Sequence, residues 1–180
     1  MSRIIFLHGA SSSGKSTIAR RLQAVIEMPF WHISIDHLRD SGVLPTARFK
    51  SGEFNWRLAK PAFFDGFHAS LAAYANAGNN LILEHILDDE AWLPFLRQLL
   101  AGHDVTFVGV HCRLDILIAR EAARGNRPIG SAQADFATIH LGKVYDIEVQ
   151  SEDGVERCTE LILAAWRSGV RVSSFATKVR

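Results

Sequence analysis

Gly9, Ala10, Ser11, Ser12, Ser13, Gly14, Lys15 and Ser16 follow the apolar run Ile4, Ile5, Phe6 and Leu7 directly. Glycine, four residues, glycine, lysine and serine is the spacing of a phosphate-binding loop. Gly9 and Gly14 permit backbone dihedrals that side chains would forbid. The N–H groups of such a loop turn inward onto the α- and β-phosphates of a nucleotide. Lys15 can carry positive charge to the β- and γ-phosphates, and the Ser16 hydroxyl stands where magnesium is ligated. Thr17 completes the expected nucleotide-contacting stretch as the loop enters a helix. A plain Gly/Ser turn with an exposed lysine is the alternative, but it would not explain the strand before the run or the helical pattern after it. The expected ligands are ATP and Mg2+.

Further polar residues fall where strands end. In open α/β sheets, ligands lie outside the carboxyl ends of the strands. Asp36 follows the second apolar run, Phe30 to Ile35, and Glu84 and His85 follow the third, Leu81 to Leu83. A carboxylate so placed can accept a hydroxyl proton, orient an acceptor, or hold magnesium through water. Asp36 and Glu84 are thus candidates for acceptor binding, Asp36 also for catalysis, and Ser16 with Glu84 for the metal. Asp36 also reads as a helix N-cap. The run Arg120 to Arg127 holds three arginines: Arg120 and Arg124 one helical turn apart, then Arg127 in a glycine-containing segment. Arg120 is expected on the nucleotide, Arg124 and Arg127 on the transferring phosphoryl group. A solvated helix face with arginines paired to acids such as Glu121 is the competing reading. Trp56, Phe63, Phe64 and Phe67 read either as core or as the wall of an acceptor pocket.

These residues need a scaffold, and strands alternating with helices supply it. Helical patterns cover Ser16 to Glu27, Asp36 to Arg39, Trp56 to Ala77, Glu90 to Leu100, Leu114 to Arg124, Ser131 to His140 and Val155 to Trp166. Val105 to Cys112 is a fourth strand and Ile147 to Val149 a fifth. Ser41 to Gly52 is expected to be a loop, and the tail from Ser168 to be loosely packed. The predicted fold is α/β: a five-stranded parallel sheet with helices on both faces and strand one central. A single domain spans 1–180, with a lid around 120–131.

Composition narrows the partners. A net charge of +1 argues against nucleic acid, and no run approaches a membrane span. Ile4 to Leu7 is too short for the apolar region of a signal peptide. Cys112 and Cys158 form no redox or metal motif, so a reduced, cytoplasmic setting is expected. The eight histidines lack zinc-site spacing. A homo-oligomer stays open.

Four segments carry a family resemblance: GASSSGKS, ISIDHL around Asp36, VGVHCRLDILIAREAARGNRPIG from Val108 to Gly130, and HLGKVYDIEVQS from His140 to Ser151. Through them the chain resembles the chloramphenicol phosphotransferase-like family of P-loop kinases. That resemblance implies transfer of the ATP γ-phosphate to a hydroxyl of a small molecule, either the antibiotic or a related metabolite. It implies a general base at Asp36, nucleotide and magnesium residues at Lys15 and Ser16, and lid arginines at Arg120, Arg124 and Arg127. Two places depart from the pattern: one acid, Glu84, precedes His85 where two acids are expected, and Leu44 to Phe67 has no counterpart. A nucleoside monophosphate kinase, with Arg39 on the acceptor phosphate, is the runner-up. A kinase-like toxin and a nucleotide-dependent switch are further readings.

Overall fold

The computed structural model describes residues 1–124 and 130–176, with the Arg124 side chain also outside the description. Five parallel strands form one sheet: β1 (Arg3–His8), β2 (Trp31–Ser34), β3 (Leu81–His85), β4 (Asp104–His111) and β5 (Ile147–Gln150). Their order is β2-β3-β1-β4-β5, so the strand feeding the phosphate loop is central, as predicted.

Alternation along β1 explains the layers. Ile5 and Leu7 point into one core with Ile18 and Leu22 of α1 (Lys15–Val25) and Ile162 and Trp166 of α8 (Val155–Ser168). Ile4 and Phe6 point into the other, with Phe67 and Leu71 of α4 (Trp56–Asn76) and Leu96 of α5 (Trp92–Leu99). Both faces of the strand are covered, which is why it reads as continuously apolar. Among the described residues no helix is long and apolar enough to cross a membrane.

Register then places the chemistry. Leu7 pairs with Glu84 and His8 with His85, while Ser34 pairs with Glu84 across β2. The ends of β1, β2 and β3 therefore lie side by side. Strand β3 runs on to His85, beyond the apolar stretch that predicted it. Ladder pairing on both sides holds the strand whatever its side chains.

Two other expectations are corrected. Within Ser41 to Gly52 a short helix α3 (Thr46–Lys50) forms. The Pro45 carbonyl accepts from the Arg48 and Phe49 amides at 3.0 and 3.2 Å. Five residues are too few to show a helical period. The tail is held as far as residue 176. Arg171 grips Asp104 through two bonds of 2.8 and 3.1 Å, and Asp146 accepts from the Val172 and Ser173 amides. Phe175 packs tilted against Phe6 and edge-on to Phe107, at 5.4 and 5.1 Å between centroids. Contacts so distant in sequence leave no local signal.

Candidate active site

The loop turns where its glycines allow. Gly14 has φ of 96°, and a Cβ on Gly9 would lie 2.3 Å from the Val110 carbonyl oxygen of β4. Gly9→Ala must therefore push two backbones apart. The expected loss is about 1–3 kcal/mol of unfolding free energy, read by denaturant titration. The Lys15 ammonium is nearly buried and donates to the Gly9 and Ala10 carbonyls at 2.8 and 2.7 Å. Ser12 and Ser13 are buried beside it. Thr17 sits in the first turn of α1, its amide donating to the Gly14 carbonyl at 3.0 Å.

Two carboxylates flank the loop. The Ser16 hydroxyl donates to Glu84 Oε2 at 2.8 Å, and His32 Nε2 makes a short contact with Oε1. Burial pushes the Glu84 carboxyl up, but the bonds from His32 and Ser16 and the charge of Lys15 outweigh it and hold the pKa low. Asp36 lies in α2 (Ile35–Asp40), where Ser34 is the N-cap, its hydroxyl accepting from the Asp36 amide at 3.3 Å. Asp36 is therefore not the cap. Its carboxylate pairs with Arg39 at 2.9 Å, and Arg39 also pairs with Asp40 at 2.7 Å.

Residues Ser11 to Ser16, Asp36, Arg39 and Glu84 border one cavity of about 300 Å³. Asp88, Trp92 and Asp135 line it too, and no sequence signal singled them out. Burial raises the Asp88 pKa, with Asp135 and Asp89 adding to the effect against the pull of Lys60. The cavity shares Ile35, Asp36, Arg39 and Phe64 with a neighbour of about 430 Å³. Trp56, Phe63 and Phe64 line this second space, and Phe67 is core.

A third cavity, of about 700 Å³, opens on the other side of the loop beside Thr17 and Arg120. Arg120, in α6 (Leu114–Arg124), donates through Nη1 to the Ser12 carbonyl at 3.4 Å and the Ser151 hydroxyl at 3.1 Å. It is no solvated arginine. Glu121 does not serve it either. Its carboxylate is buried and accepts from the Gly130 and Ala132 amides at 2.9 and 2.8 Å, capping α7 (Ser131–Thr138). Of the expected lid, residues 125–129 with Arg127 among them, and the Arg124 side chain, lie outside the described residues.

His85 also lines the first cavity. Its Nδ1 lies 2.8 Å from the Ile86 carbonyl, which can only accept, so that nitrogen carries the proton. His85 Nε2 then accepts from His68 Nε2 at 2.7 Å, and His68 Nδ1 has no hydrogen-bond partner among the described residues. Burial lowers the pKa of His68 to about 4 and, with the charge of His68 adding, that of His85 to about 3. Both fall below the unfolded value near 6.5, so protons bind the unfolded chain first. Stability is full above about pH 6.5 and declines as pH falls towards 4. At pH 5 the loss is on the order of 2 kcal/mol per buried histidine. Urea titrations at pH 7.5 and 5 should show it, and equal midpoints would contradict it.

Comparisons with known proteins bear on the family and the fold. The family model described as chloramphenicol phosphotransferase-like protein matches residues 2–167. A Mycobacterium tuberculosis protein named "Putative O-phosphotransferase", of strain H37Rv, is 26% identical over 170 residues, covering 83% of this chain and 75% of its own. Among solved structures, a gluconokinase from Sinorhizobium meliloti 1021 superposes with a TM-score of 0.65 at 18% identity, covering 93% of this chain and 92% of its own. The Mycobacterium tuberculosis APS kinase in complex with AMPPNP and APS gives 0.65 at 16% identity, covering 92% and 98%. These likenesses establish a P-loop kinase fold.

Proposed function

The chain belongs to the chloramphenicol phosphotransferase-like family, a phosphotransferase of P-loop kinase type, and from that premise we propose that it moves the γ-phosphoryl group of ATP to a hydroxyl of a small molecule. One observation carries the reading: Lys15 and Ser16 on the phosphate side and Asp36 on the acceptor side border the same cavity. Asp36 receives the hydroxyl proton as the acceptor oxygen bonds to the γ-phosphorus and the bond to the β-phosphate oxygen breaks, releasing ADP. Lys15 offsets the charge of the transferring group. Arg124 and Arg127 join it in this proposal, and Arg120 with Thr17 borders the nucleotide.

Ser16 and Glu84 fit magnesium, since both offer hard oxygen donors within hydrogen-bond distance of each other. Among the described residues no cluster of three or more His, Cys, Asp or Glu forms a metal cage. Magnesium ordinarily takes few protein ligands and completes its shell with phosphate and water. When bound it would neutralise phosphate charge.

The acceptor would lie in the aromatic second cavity, its hydroxyl reaching Asp36 across the shared wall. Arg39 is already paired with two carboxylates. That weighs against a monophosphate acceptor, which would need a cation to itself. The test is ADP release against a panel of hydroxylated antibiotics, nucleosides and sugars, with products identified by mass and 31P NMR. A phosphomonoester is the expected product. Turnover only with nucleoside monophosphates, giving diphosphates, would replace this reading.

A further inference from the structure

The amide of Ser11, a loop residue that borders the first cavity, gives a hydrogen bond to Asp135 Oδ2 at 2.8 Å. Asp135 belongs to α7, on the far side of the cavity from Asp36, and borders the same space as Ser11 to Ser16. A charge-assisted bond from a backbone N–H to a carboxylate has the chemistry by which such a loop holds phosphate. The chain thus offers its own anion to its own anion site.

The helix that carries this carboxylate is firmly tied. Glu121 of α6 caps α7 through the Gly130 and Ala132 amides, and the next residue of α6, Arg120 on its N-terminal side, grips the Ser12 carbonyl. So α6 and α7 form one unit that touches adjacent loop residues at two points, a cation on Ser12 and an anion on Ser11. Asp88, three residues beyond β3, borders the same cavity, and the charge of Asp135 adds to the burial that raises its pKa. A triphosphate arriving at the loop would add negative charge beside both.

We propose that Asp135 is an intramolecular competitor for the phosphate loop, setting nucleotide affinity and favouring ligands with enough phosphate charge to displace it from Ser11. The proposal rests on the loop being the nucleotide site. Displacement frees α7 from the loop on one side while Arg120 keeps its hold on the other. The competitor must leave before the polyphosphate settles, so its removal strengthens binding.

The experiment measures ATP and inorganic pyrophosphate dissociation constants by calorimetry for the full chain, Asp135→Asn and Asp135→Ala. Hydrogen exchange of the Ser11 amide is followed in each without ligand. Expected are about tenfold tighter binding of both ligands to Asp135→Ala, an intermediate value for Asp135→Asn, and faster Ser11 exchange in the alanine variant. The asparagine side chain keeps a hydrogen-bond acceptor without the charge, and so guards against loss of fold. Unchanged affinities, or weaker binding in both variants, would overturn the proposal. Unchanged Ser11 exchange in Asp135→Ala would overturn it independently of any nucleotide. If ATP failed to bind every form while Ser11 exchange still responded to the substitution, the nucleotide reading would fall and the competitor with it.

Discussion

Lys15→Ala is expected to lower turnover by about 10²–10³, equivalent to about 3–4 kcal/mol of transition-state stabilisation. The reason lies in where the ammonium sits. It is nearly buried, held by the Gly9 and Ala10 carbonyls and bordering the cavity, where charge interactions are weakly screened. The same contacts imply a secondary effect on the loop, since two carbonyls lose a donor. A neutral variant that keeps a donor separates the two: Lys15→Gln should recover loop stability without recovering rate. Steady-state kinetics and thermal unfolding on the three proteins check this. Near-normal turnover in Lys15→Ala would remove the loop from the catalytic site.

Asp36→Asn carries the second large effect. Asparagine keeps the size of the side chain and cannot take a proton, so loss of a general base lowers turnover by about 10²–10⁴. Stability should change little. The Asp36–Arg39 pair is about a third exposed on both sides, and such pairs contribute about 0–1 kcal/mol. The cap is safe because Ser34, not Asp36, closes the N-terminus of α2. ATP affinity, set by the loop, is expected to stay close to that of the unmodified chain. Arg39→Ala is the companion variant, with acceptor KM as its readout. Full turnover in Asp36→Asn beside a severe KM defect in Arg39→Ala would shift the proposal to a phosphorylated acceptor.

Both substitutions sit at places that could be read along the chain. Gly9 to Ser16 are neighbours, their dihedral needs are local, and the strand before them and helix after them are patterned by near residues. Asp36 was legible for a related reason: it follows an apolar run, and parallel strands present their carboxyl ends on one edge. The central position of β1 and the helices on both faces followed from that same pattern of alternating elements.

Other features depended on approach through space. The strand-end rule already set Glu84 beside Ser16, but only the register of β2 on β3 brought His32 to the other carboxylate oxygen. Phe67 went to the core while Phe63 and Phe64 lined a cavity, because one helix can turn residues only a few positions apart towards different surroundings. His68 and His85 became a buried neutral pair only when α4 packed over the end of β3. Glu121, read as a partner for arginine, instead met the free amides at the start of α7, whose own N-cap Gly130 has no side chain to offer them. Asp135 shows the same limit: its carboxylate is ordinary in sequence, and only the fold of α7 against the loop lays it on the Ser11 amide. Hydrogen bonds between distant segments depend on distance and direction in three dimensions, and linear spacing encodes neither.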